Sequence, residues 1–171
     1  MKTDLVAQCR IDTPLGPLTL AATARGLAAA LFDAQRHHPG EIPARSAPGH
    51  PHLVLAAREL AAYFAGTLRH FTVPLDVQGT PFQQEVWRAL RAIAPGRTTS
   101  YGAIAAQIGR PTAVRAVGAA VGRNPIAIIV PCHRVVGSDG SLTGYAGGLE
   151  RKRALLALET PPPFGAPGEA A

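Results

Sequence analysis

The chain has 171 residues, 47% of them hydrophobic and only 16% charged, which excludes a disordered chain and is enough for one good core or two small domains. No apolar run approaches membrane-spanning length, and Met-Lys-Thr-Asp-Leu-Val at the start has no signal-peptide core, so a soluble cytoplasmic protein is expected. Two cysteines, Cys9 and Cys132, are too few for a disulfide framework and are read as independent thiols. Charge is uneven: residues 1–78 carry seven Lys/Arg against six Asp/Glu (net +1), whereas 79–160 carry ten against four (net +6). A basic half beside a near-neutral one points to a polyanionic partner for the basic half.

Residues 5–11 and 18–22 alternate as short strands around the turn Thr13-Pro14-Leu15-Gly16-Pro17, and residues 27–32 give a third strand after Gly26. The Pro/Gly/His/Arg-rich stretch 34–51 is expected to be a solvated loop. Its His37, His38, His50 and His52 have no cysteine partner at zinc spacing, so no metal is expected. Helical spacing covers 53–64, with Gly66 placed to end it, and 71–75 reads as a short edge strand because of Pro74. A boundary at Gln78-Gly79 divides a small α+β domain, 1–78, from a second domain, 79–160.

The second domain opens on a helix start. Thr80 caps, Pro81 suits the first helical position, and Gln83 completes a capping box ahead of the stripe Phe82, Val86, Trp87, Leu90 and Ile93. Ser100 caps a short helix that Gly109 ends, and Thr112 is expected to cap a second running to about Val121. Two short helices in a basic region fit a helix-turn-helix, although any helical hairpin has this spacing. The second of them offers one long cation, Arg115, among Ala113, Ala116, Gly118, Ala119 and other small residues. That suits a sequence-neutral minor-groove contact with one inserted side chain; close helix packing with a solvated Arg115 fits equally. Residues 161–171 are expected to be a disordered tail.

The β-branched run from Ile126 is expected to be a strand ending at Pro131 and delivering Cys132, His133 and Arg134. These three read either as a core cysteine followed by two solvated basic residues or as an activated nucleophile. In an extended chain Cys132 and His133 point to opposite sides, so pairing them requires a bridging water or a bend at Pro131. A carboxylate behind the imidazole completes a Cys–His–acid relay. Glu159, at the end of a helix expected from Leu149, is favoured over Glu150, which already has a dipole reason to sit in that helix's first turn. Asn124, before Pro125, can bond to backbone on both sides and lock this segment.

Taken together, Thr-Pro-Phe-Gln-Gln-Glu-Val-Trp, Thr-Ser-Tyr-Gly, Arg-Ala-Val-Gly, Arg-Asn-Pro, Ile-Val-Pro-Cys-His-Arg-Val-Val and Gly-Tyr-Ala-Gly-Gly-Leu-Glu-Arg-Lys resemble the O6-alkylguanine-DNA alkyltransferases. The match is dense over 79–159 and thinner before it. It implies a two-domain α/β architecture: a small ribonuclease H-like α+β domain, then a mainly helical domain with a helix-turn-helix and an active-site cysteine loop. It also implies stoichiometric transfer of the alkyl group from O6-alkylguanine in duplex DNA to Cys132 after base flipping, without metal or cofactor, and leaves O4-alkylthymine open as a second substrate.

By the same resemblance Cys132 is the acceptor, His133 its base through water, Glu159 the group holding His133, and Asn124 a hinge. Arg115 becomes the finger that fills the gap left by the base, with Ala113, Ala116, Gly118, Ala119 and Arg123 on the DNA-binding helix. Tyr101 becomes the DNA-binding tyrosine that helps rotate the lesion's phosphate and bonds the flipped guanine, with Val135, Tyr145, Ala146 and Gly147 around the base. Two positions depart from the pattern: Ala146, where some relatives place a hydroxyl, and Ala127, where some have proline. A monomer is expected. The alternatives carried forward are a damage-recognition module that transfers nothing and a cysteine hydrolase.

Overall fold

The structure, a computed structural model, describes residues 4–160, so the expected tail 161–171 lies outside the described residues. Three antiparallel strands in the order β1-β2-β3 form the first sheet: β1 Ala7–Ile11, β2 Leu18–Ala22 and β3 Leu27–Phe32. The alternation of β2 has a reason on each face. Leu18, Leu20 and Ala22 share a core with Leu53, Ala56 and Leu60 of α1 (Pro51–Phe64), while Ala21 packs with Leu31 and Ile42 on the other side.

Ile42 belongs to the stretch expected to be solvated, and the correction has a clear cause. The Gln8 amide donates to the carbonyls of Ile42 (3.1 Å) and Ala44 (2.6 Å), and residues 45–47 exchange backbone hydrogen bonds with Gln8. This stretch therefore roofs the second face of the sheet. Residues 71–75 are likewise not a strand. Pro74 has no N–H to give, so a single bridge forms, in which Leu27 donates to Pro74 and Asp76 to Leu27, while the Glu59 carboxylate takes the N–H groups of Thr72 and Val73.

In the second half, α2 (Pro81–Arg91) has the full capping box: Thr80 Oγ accepts from Gln83 N, and Gln83 Oε1 accepts from Thr80 N. Trp87 is in the core and its indole donates to Ala120 O at 2.8 Å, tying α2 to α4. A side chain on Gly79 would lie 2.5 Å from that ring, so the boundary glycine is required by packing.

A two-residue strand, β4 (Thr99–Ser100), runs parallel to β5 (Val135–Val136); neither is long enough to leave a sequence signature. Next come α3 (Tyr101–Gln107), capped by Ser100, α4 (Val114–Gly122) and α5 (Leu149–Glu159). Thr112 does not cap α4. Ala113 occupies that position without a side-chain bond, because the Ala113 N–H turns back to Arg110 O. Helices α3 and α4 pack as a helix-turn-helix. One core joins the two halves: Ala30 of β3 donates to Pro125 O and accepts from Ala127 N, both at 2.9 Å. Among the described residues no helix is long and apolar enough to cross a membrane.

Candidate active site

The segment expected to be a strand before Cys132 is instead a buried knot. After one bridge from Ile126 to Ala30 the chain turns, with Ile128 in the left-handed region at φ 71°. The cause is Asn124. Its Oδ1 accepts from Ile126 N (3.0 Å), and its Nδ2 donates to Val130 O (2.8 Å) and Ile126 O (3.3 Å). One side chain thus satisfies backbone groups that a neighbouring strand would otherwise have to meet. The turn continues as a single 3-10 turn, Cys132–Arg134, so the chain bends here and is not the extended segment that would set Cys132 and His133 on opposite sides.

Asn124 Nδ2 also lies 3.1 Å from Cys132 Sγ. Burial pushes the thiol up, opposed by that hydrogen bond, by the Lys152 cation and by the N–H groups of Cys132 and His133. The resting thiol is therefore protonated, with donors already set to receive the thiolate. Lys152, fully buried, donates to Val135 O and to Thr143 O (2.7 Å), fastening β5 to the loop before Tyr145.

Behind the cysteine, His133 Nε2 lies 2.8 Å from Glu159 Oε1. Arg134 is not solvated: it grips Glu159 through Nε (2.9 Å) and Nη2 (2.8 Å) and donates to Ile93 O. Burial raises the Glu159 carboxyl, but hydrogen bonds from His133, Arg134 and the Tyr63 hydroxyl outweigh it and hold the carboxyl well below the usual range. A carboxylate only accepts, so Nε2 carries the proton and Nδ1 keeps its lone pair. Burial lowers His133 further than Glu159 raises it, so the imidazole is neutral near pH 7, and Nδ1 has no protein partner. Glu150 is exposed.

Tyr63, from α1 of the first half, donates to Glu159 Oε1 at 2.7 Å, the same oxygen that faces His133. Removing that donor leaves more charge on Oε1 and favours the imidazolium. Tyr63→Phe is thus expected to move the acid limb of the transfer rate to higher pH, since a protonated His133 takes no proton. A single-turnover pH profile with an unmoved limb would reduce Tyr63 to packing.

Cys132 forms one wall of a cavity of about 280 Å³. Of the residues expected around the guanine, Tyr101, Tyr145 and Ala146 line it and Val135 and Gly147 do not; Gly118, Ala119 and Arg123, expected as DNA-binding residues, line it as well. Arg115 and Ala116 are exposed on α4, and Ala113 sits at its start. Arg36 and His37 of the first half also line the cavity, although nothing in the sequence of 34–51 singled them out. Tyr63 and Lys152 likewise carry no sequence signal for the site, and Arg134, expected to be solvated, is buried against Glu159.

A thiol with a His–carboxylate pair behind it, opening beside a basic helix-turn-helix, defines a cysteine-nucleophile protein on a nucleic-acid-binding scaffold. Residues 81–161 match the model of the 6-O-methylguanine DNA methyltransferase DNA-binding domain, and residues 9–77 that of the ribonuclease-like domain of the same family. The chain belongs to this 6-O-methylguanine DNA methyltransferase family. It is 55% identical over 149 residues to the methylated-DNA–protein-cysteine methyltransferase of Mycobacterium bovis, covering 87% of this chain and 89% of the relative. The Methanosarcina barkeri protein of the same name is 50% identical, covering 87% and 94%. The fold is similar to Mycobacterium tuberculosis OGT in complex with DNA: TM-score 0.86, 54% identity, 90% of this chain and 93% of that one.

Proposed function

We propose that this chain repairs alkylated duplex DNA directly, moving the alkyl group from O6-alkylguanine to Cys132 in a single irreversible turnover. Residues 1–78 act as the supporting domain and 79–160 as the DNA-binding and transfer domain of a cytoplasmic monomer. The observation that carries this reading is the Cys132 thiol, hydrogen-bonded by Asn124 and lying on the wall of a cavity bordered by the small residues of α4. The alkylated oxygen cannot be reached inside a duplex, so the base must leave the stack. Gly118 and Ala119 allow close approach of the groove, Arg115 enters the space left behind, and Tyr101 and Tyr145 bound the extruded guanine.

In the transfer step the thiol proton passes through water to His133 Nδ1, and Glu159, fixed by Arg134, stabilises the imidazolium. Sulfur then forms a bond to the alkyl carbon as the carbon–oxygen bond breaks. The electron pair stays on guanine, which recovers a proton from the site. The thioether product has no carbonyl for water to attack, so the thiol is not regenerated.

A time course with labelled O6-methylguanine duplex in excess tests this. The expected result is a rise to one methyl per protein and then a plateau. Continued turnover points to a hydrolase, and binding without any transfer to a damage-recognition module.

A further inference from the structure

The turn after β3 is built to hold a fixed shape against the cysteine cavity. Gln35, buried, accepts the Phe32 N–H on its side-chain oxygen at 2.8 Å, closing the turn at its start. The backbone then passes through the left-handed region at Ala34 (φ 55°) and again at His37 (φ 61°), conformations that cost a side-chain-bearing residue free energy and persist only where surroundings impose them. The imposing contact is the Arg36 N–H, which donates to Ala146 O at 2.8 Å. Ala146 lies on the cavity wall, so the turn is fastened to the rim of the cavity that holds Cys132.

What the turn presents there is charge. Arg36 and His37 line the cavity together with Arg123 from the end of α4. Among the described residues neither Arg36 nor Arg123 forms an ion pair; the arginines that do are Arg10, Arg25, Arg110 and Arg134. A cavity shaped only for a neutral purine has no use for unpaired guanidinium groups at its mouth. An extruded nucleotide, however, arrives with its phosphates, and guanidinium is well matched to them.

We propose that Arg36, with His37 beside it, binds a backbone phosphate of the extruded nucleotide, so that the first domain takes a direct part in lesion recognition. This rests on the reading that the cavity receives the extruded base. It distinguishes substrates by what they carry: a lesion within DNA has the phosphate, whereas the same modified base free in solution does not.

The test compares methyl transfer from an O6-methylguanine duplex with transfer from free O6-methylguanine, in the wild-type protein and in Arg36→Ala and Arg36→Lys. The hydrogen bond that fastens the turn comes from the main chain and survives both substitutions. The expected result for Arg36→Ala is a duplex rate constant lowered roughly tenfold more than the free-base rate constant. The slope of log duplex affinity against log salt is expected to become shallower by about 0.9, the signature of one lost phosphate contact. Arg36→Lys is expected to restore most of that slope. Equal losses on both substrates, or an unchanged salt slope, overturn the proposal and leave Arg36 as a cavity wall. Failure of the wild-type protein to accept methyl from the duplex would instead overturn the functional reading on which the proposal rests.

Discussion

Glu159→Ala is expected to slow methyl transfer by roughly two to four orders of magnitude, the range associated with loss of a general base. It is also expected to destabilise the fold by about 3–5 kcal/mol, because it leaves the buried Arg134 guanidinium without its carboxylate. Both effects come from one side chain that meets Arg134, His133 and Tyr63 at once. Without it nothing selects the His133 tautomer whose Nδ1 lone pair accepts the thiol proton. Glu159→Gln keeps the volume but turns an N–H pair toward donors, so it is expected to be as slow while losing less stability.

The pH dependence of folding gives a second readout. Glu159 titrates lower in the folded protein than in the unfolded one. Its contribution is thus complete above the unfolded carboxylate value of about 4.3 and is lost as pH falls toward the folded value. His133 is also depressed, so the unfolded chain binds its proton first and stability declines on acidification below about 6.5. Glu159→Ala is expected to remove the lower of these two components from a denaturant series measured across pH. Binding to unmodified duplex should survive in folded protein, since α4 and Arg115 do not touch the network. Transfer near the wild-type rate would remove His133 and Glu159 from the mechanism.

Asn124→Ala is expected to have the second largest effect. It leaves the buried Ile126 N–H without a partner, at about 1–3 kcal/mol, and takes from the Val130 carbonyl one of its two donors, the other being the Cys132 N–H. It also releases the turn containing Ile128 and takes a donor away from Sγ, so the thiol rises further and transfer slows. Asn124→Asp separates these roles. It can still accept from Ile126 N but loses the donor and places a carboxylate beside the sulfur, which opposes the thiolate. Ultraviolet titration of the thiol is expected to give wild type lowest, alanine higher and aspartate highest. An aspartate variant titrating like wild type would show that Asn124 is a backbone clamp alone.

The parts that were legible in the sequence are those whose cause is local. The capping box at Thr80, the Ser100 cap, the three strands of the first sheet and the small residues of α4 each depend on neighbours within a few positions. The stretch before Cys132 reads as a strand because β-branched, apolar residues favour strand pairing, and a left-handed turn at Ile128 is one that such a residue rarely adopts. Only the Asn124 side chain decides between them, and its bond to Val130 spans the whole segment. The network behind His133 was only half visible. Glu159 followed from the need for an acid, but the Tyr63 hydroxyl that reaches it is 96 residues away. Nothing local marks Lys152 as a buried cation or Arg36 as a cavity residue: Lys152 is fixed by carbonyls 8 to 17 residues before it, and Arg36 by how the two halves dock.

The measurement that tests the central claim most directly is an intact mass of the protein after reaction with excess duplex containing one O6-methylguanine, followed by peptide mapping. The predicted result is a gain of one methyl group per molecule, confined to the peptide bearing Cys132, with Cys9 unmodified. An unchanged mass while the duplex remains bound, or a methyl group on any other residue, would contradict it.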